Sequence, residues 1–135
     1  MRTAMTFISR SPEVCWRVFT DAATLTAWVP GLRRANVIAN AGLGLAKEIL
    51  FEFAASRTYT LAYTYDVEAR EVRWEPQLGK RDAVRGFAKF EAFDDGTRMT
   101  YALEEGDGRT DAERALGDLD MLVDAFSRFV TDSRR

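Results

Sequence analysis

The chain contains no histidine. That absence removes the usual general base near neutral pH and the commonest metal ligand, and with them any Ser-His-Asp or Cys-His arrangement. Proton transfer would have to come from a carboxylate with a raised pKa, a tyrosine, or an arginine that holds a carbonyl oxygen. The acidic candidates are Glu48 and Glu52, and the basic ones are Arg57, Arg73 and the cluster Lys80, Arg81 and Arg85. Strand alternation puts both glutamates on a wet face, and Arg57 and Arg73 reach inward only if a strand slips register. The basic cluster could attract an acidic ligand head, but charge runs are usually solvated surface. Cys15, the single cysteine, falls on an apolar helical stripe and reads as inert core. With carboxylates alone for company it makes a poor zinc site. No catalytic residue is assigned, and neither a metal nor a cofactor is expected.

The sequence offers an aromatic interior instead. From Leu32 to Leu103 the hydrophobic period is two, and strands are predicted near Arg33–Asn40, Leu45–Ala54, Thr58–Asp66, Glu71–Glu75, Ala83–Phe93 and Arg98–Glu104. Leu45, Ile49, Phe51 and Phe53 share one face, with Glu48 and Glu52 opposite. Tyr59, Leu61, Tyr63 and Tyr65 alternate with threonines and an alanine, and Met99, Tyr101 and Leu103 alternate with Arg98, Thr100 and Glu104. This is the pattern of an antiparallel sheet with one apolar face. In the strand near Ala83–Phe93 the small-residue face (Gly86, Ala88, Phe90, Ala92) is taken as inward, leaving Phe87 and Phe93 outside. Asn40-Ala41-Gly42, Glu68-Ala69-Arg70 and Asp94-Asp95-Gly96 supply the turns.

Three further segments must position that sheet. Arg2 to Ser9 reads as a strand, apolar on both sides and so either covered on both faces or continued by a helix. Ser11-Pro12 opens a helix, serine as N-cap and proline where a missing N–H is harmless, with Val14, Cys15, Val18 and Phe19 inward. Asp21 caps a second, short helix through Trp28, and Val29-Pro30-Gly31 ends it. The last segment, Thr110 to Asp132, is the longest helix. At about 100° per residue, Leu116, Leu119, Leu122, Val123, Phe126, Phe129 and Val130 fall on one arc. Thr110 with Glu113 forms a capping box, and Gly117, on the polar side, would let the first turns tilt as a lid.

Composition is consistent with one soluble domain. The chain has 135 residues, 47% hydrophobic and 30% charged, with 19 basic and 21 acidic side chains, enough for a core and without a reason to expect nucleic acid. No run approaches the roughly 18 apolar residues that would cross a bilayer, and no signal peptide is visible. The expectation is a cytoplasmic protein, residues 1–135 forming a single domain.

The order β-α-α-β-β-β-β-β-β-α, the segment from Ser11 through Trp28-Val29-Pro30-Gly31, and the Asp95-Gly96-Thr97-Arg98-Met99-Thr100-Tyr101 hairpin resemble the START-like (SRPBCC) helix-grip superfamily. The resemblance extends to its polyketide cyclase/dehydrase group. It implies an α+β fold, a seven-stranded curved antiparallel sheet wrapped around the C-terminal helix, with a cavity between them. Carried over position by position, Trp28 and Pro30 match the mouth loop, and Leu119, Val123 and Phe126 match the helix positions facing the cavity. Alternation supplies the strand residues Ile49, Phe51, Tyr59, Tyr63, Trp74, Phe90, Met99 and Tyr101. Inward tyrosines imply some polar lining, since a buried phenol wants a partner. Gly86 and Ala88 leave volume unless larger neighbours fill it.

Three functions fit this frame. The first is binding or transport of a hydrophobic small molecule or lipid. The second is a polyketide cyclase/dehydrase-like enzyme. The third is an interaction module related to chaperone ATPase activators, for which exposed Phe87, Phe93 and Met121 would be the pointer. A homodimer is compatible with the last; membrane insertion is not expected.

Overall fold

The first and second strands are neighbours in sequence but lie at opposite edges of the sheet, and the rest of the fold follows from that separation. The computed structural model describes residues 2–53, 57–76, 85–104 and 118–132, with backbone alone at Arg57 and Tyr59. Its strands are β1 (Arg2–Ile8), β2 (Leu32–Gly42), β3 (Leu45–Phe53), β4 (Arg57–Asp66), β5 (Glu71–Pro76), β6 (Arg85–Phe93) and β7 (Gly96–Glu104). They form one sheet in the order β1-β7-β6-β5-β4-β3-β2, antiparallel throughout. At about 4.8 Å per strand, the connection from β1 to β2 crosses roughly 29 Å. Helix α1 (Pro12–Phe19), a 3-10 turn (Ala22–Thr24) and α2 (Leu25–Trp28) make that crossing. Helix α3 (Leu119–Asp132) packs beside them against β1 and β7.

The helix starts follow the sequence signals. Ser11 Oγ accepts from the Val14 amide (3.3 Å) and Asp21 accepts from the Ala23 amide (3.0 Å). Arg10 ties three elements together at the β1–α1 bend. Its carbonyl accepts from the buried Thr97 hydroxyl of β7 (2.7 Å), and its Nη1 donates to the Val130 carbonyl of α3 (3.3 Å). Gly31, at φ 76°, turns the chain after α2 into β2.

The alternation holds where the sheet is buried. Ile49, Phe51 and Phe53 of β3, Leu61 of β4, Val72 and Trp74 of β5, and Met99, Tyr101 and Leu103 of β7 all face the core. On β6 the small-residue face is the inner one, with Gly86, Ala88 and Phe90 buried and Phe87 half-buried; Ala92 has already run out into solvent. On α3, Leu119, Leu122, Val123, Phe126 and Val130 are buried, the arc that the spacing predicts.

Three expectations need correction. β1 is not covered on both faces: Ala4 and Ile8 are buried, but Met5 and Phe7 are 55% and 48% exposed on the far side of the sheet. Phe7 meets Phe93 edge-on there (6.3 Å). The β2–β3 turn is Leu43-Gly44 rather than Asn40-Ala41-Gly42, with both residues at positive φ (56° and 76°), the geometry a two-residue type I′ hairpin demands. Leu45 is half-buried while Ala46 takes the inward place. The β2–β3 pairing shifts register around Ala39, Asn40 and Gly42, and each shift reassigns faces. The capping box Thr110/Glu113, the Gly117 lid, Lys80, Arg81 and the first residues of the predicted strand at Ala83 lie outside the described residues. No helix among the described residues is long and apolar enough to cross a membrane.

Candidate functional site

The site begins with what the small residues of β6 allow. Gly86 pairs with Trp74 of β5, and Ala88 pairs with Tyr101 of β7. Their two rings lean toward each other over β6, with centroids 5.1 Å apart at 39°. A third large ring in the strand between them would keep those rings apart. Gly86 has a second reason to be small. A Cβ there would stand 2.1 Å from the Ala102 carbonyl oxygen, so the close approach of β7 forbids any side chain. Gly86 and Ala88 therefore do not leave the volume open; Trp74 and Tyr101 fill it.

Around this pair the interior is aromatic. Phe19, from the last turn of α1, sits 5.5 Å from Trp28, 6.2 Å from Trp74, 5.3 Å from Phe90 and 5.4 Å from Phe126. Tyr63 extends the line from Trp74 (6.2 Å) to Phe51 (6.5 Å). Between the helices and β3–β5 remains a void of about 50 Å³. It is large enough for a few waters and well below the roughly 300–1,000 Å³ of drug-sized sites. Lining residues that keep some exposure are Phe19, Thr20, Ala22, Val29, Tyr63 and Tyr65. They mark where the cavity approaches the surface, between the α1–α2 connection and β4.

The polar groups of the wall are few and uncharged. No charged side chain is among the described residues that line it. Tyr65, at the rim, donates to the Ala46 carbonyl and meets Trp16 edge-on (6.2 Å); partial burial pushes its phenol up to about 12. Tyr101, 6% exposed, is held far above the usual phenol range by burial alone. It stays a neutral donor at every physiological pH, with no hydrogen-bond partner among the described residues. The indole N–H groups of Trp28 and Trp74 are also buried and without a partner there. Buried donors are normally satisfied, so two unpaired indoles in residues of one cavity wall are unusual.

The sequence-predicted residues divide on this geometry. Trp28, Ile49, Phe51, Tyr63, Trp74 and Tyr101 come together on the cavity wall. Phe90, Met99, Leu119, Val123 and Phe126 are buried in the core beside it rather than on it, and Pro30 is exposed. Trp28 is not at an open mouth: it is 6% exposed and packs 4.9 Å from Phe126. The Tyr59 side chain lies outside the described residues. The wall also includes residues that were not selected, among them Phe19, Leu25, Phe53, Leu61, Tyr65 and Leu122. Five of the six fall on inward stripes, and Leu25 belongs to the short second helix, for which no face is assigned; nothing in periodicity separates wall from core.

The other candidate groups sit elsewhere. Glu52 pairs with Arg34 (3.6 Å), and Arg73 pairs with Glu71 (3.1 Å) while covering the Phe87 ring (5.2 Å). Arg85 pairs with Glu75 and Glu104 on the surface. Cys15 is fully buried, and burial pushes its thiol up. Among the described residues no group of cysteine and acidic side chains is placed to hold a metal ion. Phe93 and Met121 are exposed at 43% and 68%.

Comparison with solved structures shows the fold. A protein from Thermus thermophilus superposes with a TM-score of 0.74 at 18% identity, covering 98% of each chain. A START superfamily protein from Mycobacterium smegmatis gives 0.72 at 15% identity, covering 97% of each. An aromatase/cyclase from a Streptomyces species gives 0.62 at 14% identity, covering 97% of this chain and 88% of that one. No protein-family model and no curated protein matches the sequence. The chain has the START-like helix-grip fold, as the sequence resemblance implies.

Proposed function

We propose that the protein binds a hydrophobic small molecule in the cavity between the sheet and its helices. The observation that carries this reading is the cavity wall itself: eight aromatic side chains converge there, and no charged side chain is among the described residues that line it. Concave, mostly apolar sites with a few convergent polar groups are what small-molecule recognition uses. The void of about 50 Å³ sets a condition. A ligand larger than a few waters must move the half-buried wall residues Phe19, Tyr63 or Tyr65, so binding is coupled to opening.

The test is native mass spectrometry of the purified protein together with thermal shifts across a panel of lipophiles. A co-purified small molecule, or a saturable rise in Tm with one class of lipophile, supports the reading; neither, across the panel, counts against it. The neighbouring aromatase/cyclase fold raises a catalytic alternative. On this wall Tyr101 is the group that alternative would use, and burial restricts it to donating to a carbonyl oxygen rather than abstracting a proton. Turnover that falls in Tyr101→Phe while binding persists would favour catalysis.

A further inference from the structure

We propose that the protein forms a weak two-fold dimer in which the β1 edge strands of two copies pair antiparallel about Met5, joining their sheets into one.

The two edges of the sheet are built differently. Among the described residues β1 and β2 are the end strands, each with one side unpaired, and an edge strand presents free N–H and C=O groups that can pair with another chain. β2 carries the usual guards: exposed Arg33 and Arg34, and shifts of register against β3 at four places. β1 carries none of them. Its pairing with β7 runs unbroken through seven residue pairs, and from Thr3 to Ile8 it has no charge, proline or bulge. Its outward side chains Met5 and Phe7 are exposed, and they continue a line that starts further in, where Phe93 of β6 meets Phe7. That line is diagonal. Phe93 is level with Gly96, Phe7 with Arg98 and Met5 with Thr100, so it slants across the sheet and ends at the rim. A two-fold axis beside Met5 extends it without a break, from Phe93, Phe7 and Met5 to Met5, Phe7 and Phe93 of the second copy. This continuity singles out another copy of the chain as the occupant. Charge agrees with it. In that register Arg2, the only charged residue of β1, falls opposite Ile8, Thr3 opposite Phe7 and Ala4 opposite Thr6, so no like charges meet. Arg98, one strand back on the same face, is paired with Glu91 (3.9 Å). The seven residues that β1 offers on each side are fewer than the roughly 20–30 of a standard interface, which makes the dimer weak and reversible.

Sedimentation velocity of the full chain across a concentration series tests this. The expected result is a sedimentation coefficient that climbs with concentration from the monomer value towards that of a dimer. Met5→Lys, at an exposed position, should keep the parent urea melt but set two ammonium groups against each other across the axis, raising the dissociation constant at least about tenfold. Met5→Glu should do the same with two carboxylates. An equimolar mixture of the two variants should regain the dimer, because lysine then faces glutamate. Val37→Lys, exposed on the other edge strand, should leave association unchanged. A monomer at every concentration overturns the proposal, and so does a dimer that persists in Met5→Lys or disappears in Val37→Lys. Loss of the dimer in both Met5 variants with no recovery on mixing overturns the pairing about Met5.

Discussion

Phe126→Ala tests the packing that shapes the cavity. Phe126 is fully buried on α3, with ring centroids 4.9 Å from Trp28, 5.4 Å from Phe19 and 6.0 Å from Phe90. Removing the ring loses about 1.5–3 kcal/mol of transfer free energy. Part of three aromatic contacts, each about 0.5–1.5 kcal/mol, goes with it. The neighbours are themselves large and locked against one another, so they collapse little into the gap. The loss should therefore fall in the middle to upper part of the Phe→Ala range, about 4 kcal/mol within about 3–5. For a chain of 135 residues that is a fall in Tm of about 12–20 °C. Urea unfolding followed by tryptophan fluorescence and far-ultraviolet dichroism, with the m-value unchanged, gives the number. The new hollow lies next to Trp28, itself on the cavity wall, so added benzene should restore part of the lost stability. A loss below about 2 kcal/mol with unchanged m would refute the account of α3 as tightly packed on the aromatic cluster.

Gly86→Ala should destabilise by about 1–3 kcal/mol or more, because the added carbon meets a backbone oxygen of β7 rather than a flexible side chain; a neutral result in urea melts would refute the close approach. Thr97→Val removes the hydroxyl that donates to the Arg10 carbonyl at 2.7 Å and leaves it only the weak Cys15 thiol donor at 3.9 Å, so it should lose about 1–3 kcal/mol by the same measurement. Stability should also fall at high pH. Tyr65 and Tyr101 both have folded-state values raised above the ordinary phenol, Tyr65 to about 12. Their contribution is whole below about pH 10 and drains away as pH rises through the folded values. The drop in Tm between about pH 9 and 11.5 should shrink in Tyr101→Phe, and an unchanged drop would show that the phenol is not buried.

Most of the framework was legible because burial on one face imposes a period, and the period survives in the residue types. All seven strands, the α1 and Asp21 caps and the buried arc of α3 could be placed that way. Errors arose where a local geometry breaks the period. The register shifts between β2 and β3 exchange Leu45 for Ala46, and bulges leave no simple compositional mark. The exposed Met5 and Phe7 misled for another reason: an edge strand can carry apolar residues outward, and nothing in the sequence says that no helix covers them. The cavity was harder still. Trp74 and Tyr101 were recognised as inward, but whether an inward ring ends in core or at a void depends on how neighbouring strands lean. Phe90 and Tyr101, on adjacent strands with the same pattern, divide between the two outcomes.

The unpaired indoles bear on stability. Two buried indole N–H groups without partners among the described residues, at about 1–3 kcal/mol each, oppose folding by about 2–6 kcal/mol. Set against the roughly 5–15 kcal/mol by which domains are stable, that is a large concession, and the interlocked rings of Phe19, Trp28, Phe90 and Phe126 are what can offset it. A fold optimised for stability alone would not bury those N–H groups unpaired. Trp74→Phe should accordingly leave the protein about as stable as before, the lost ring area balanced by a removed orphan donor. A variant that instead lost several kcal/mol without ligand would show that the Trp74 indole contributes through its packing area, and that its N–H is not the reason the residue is there.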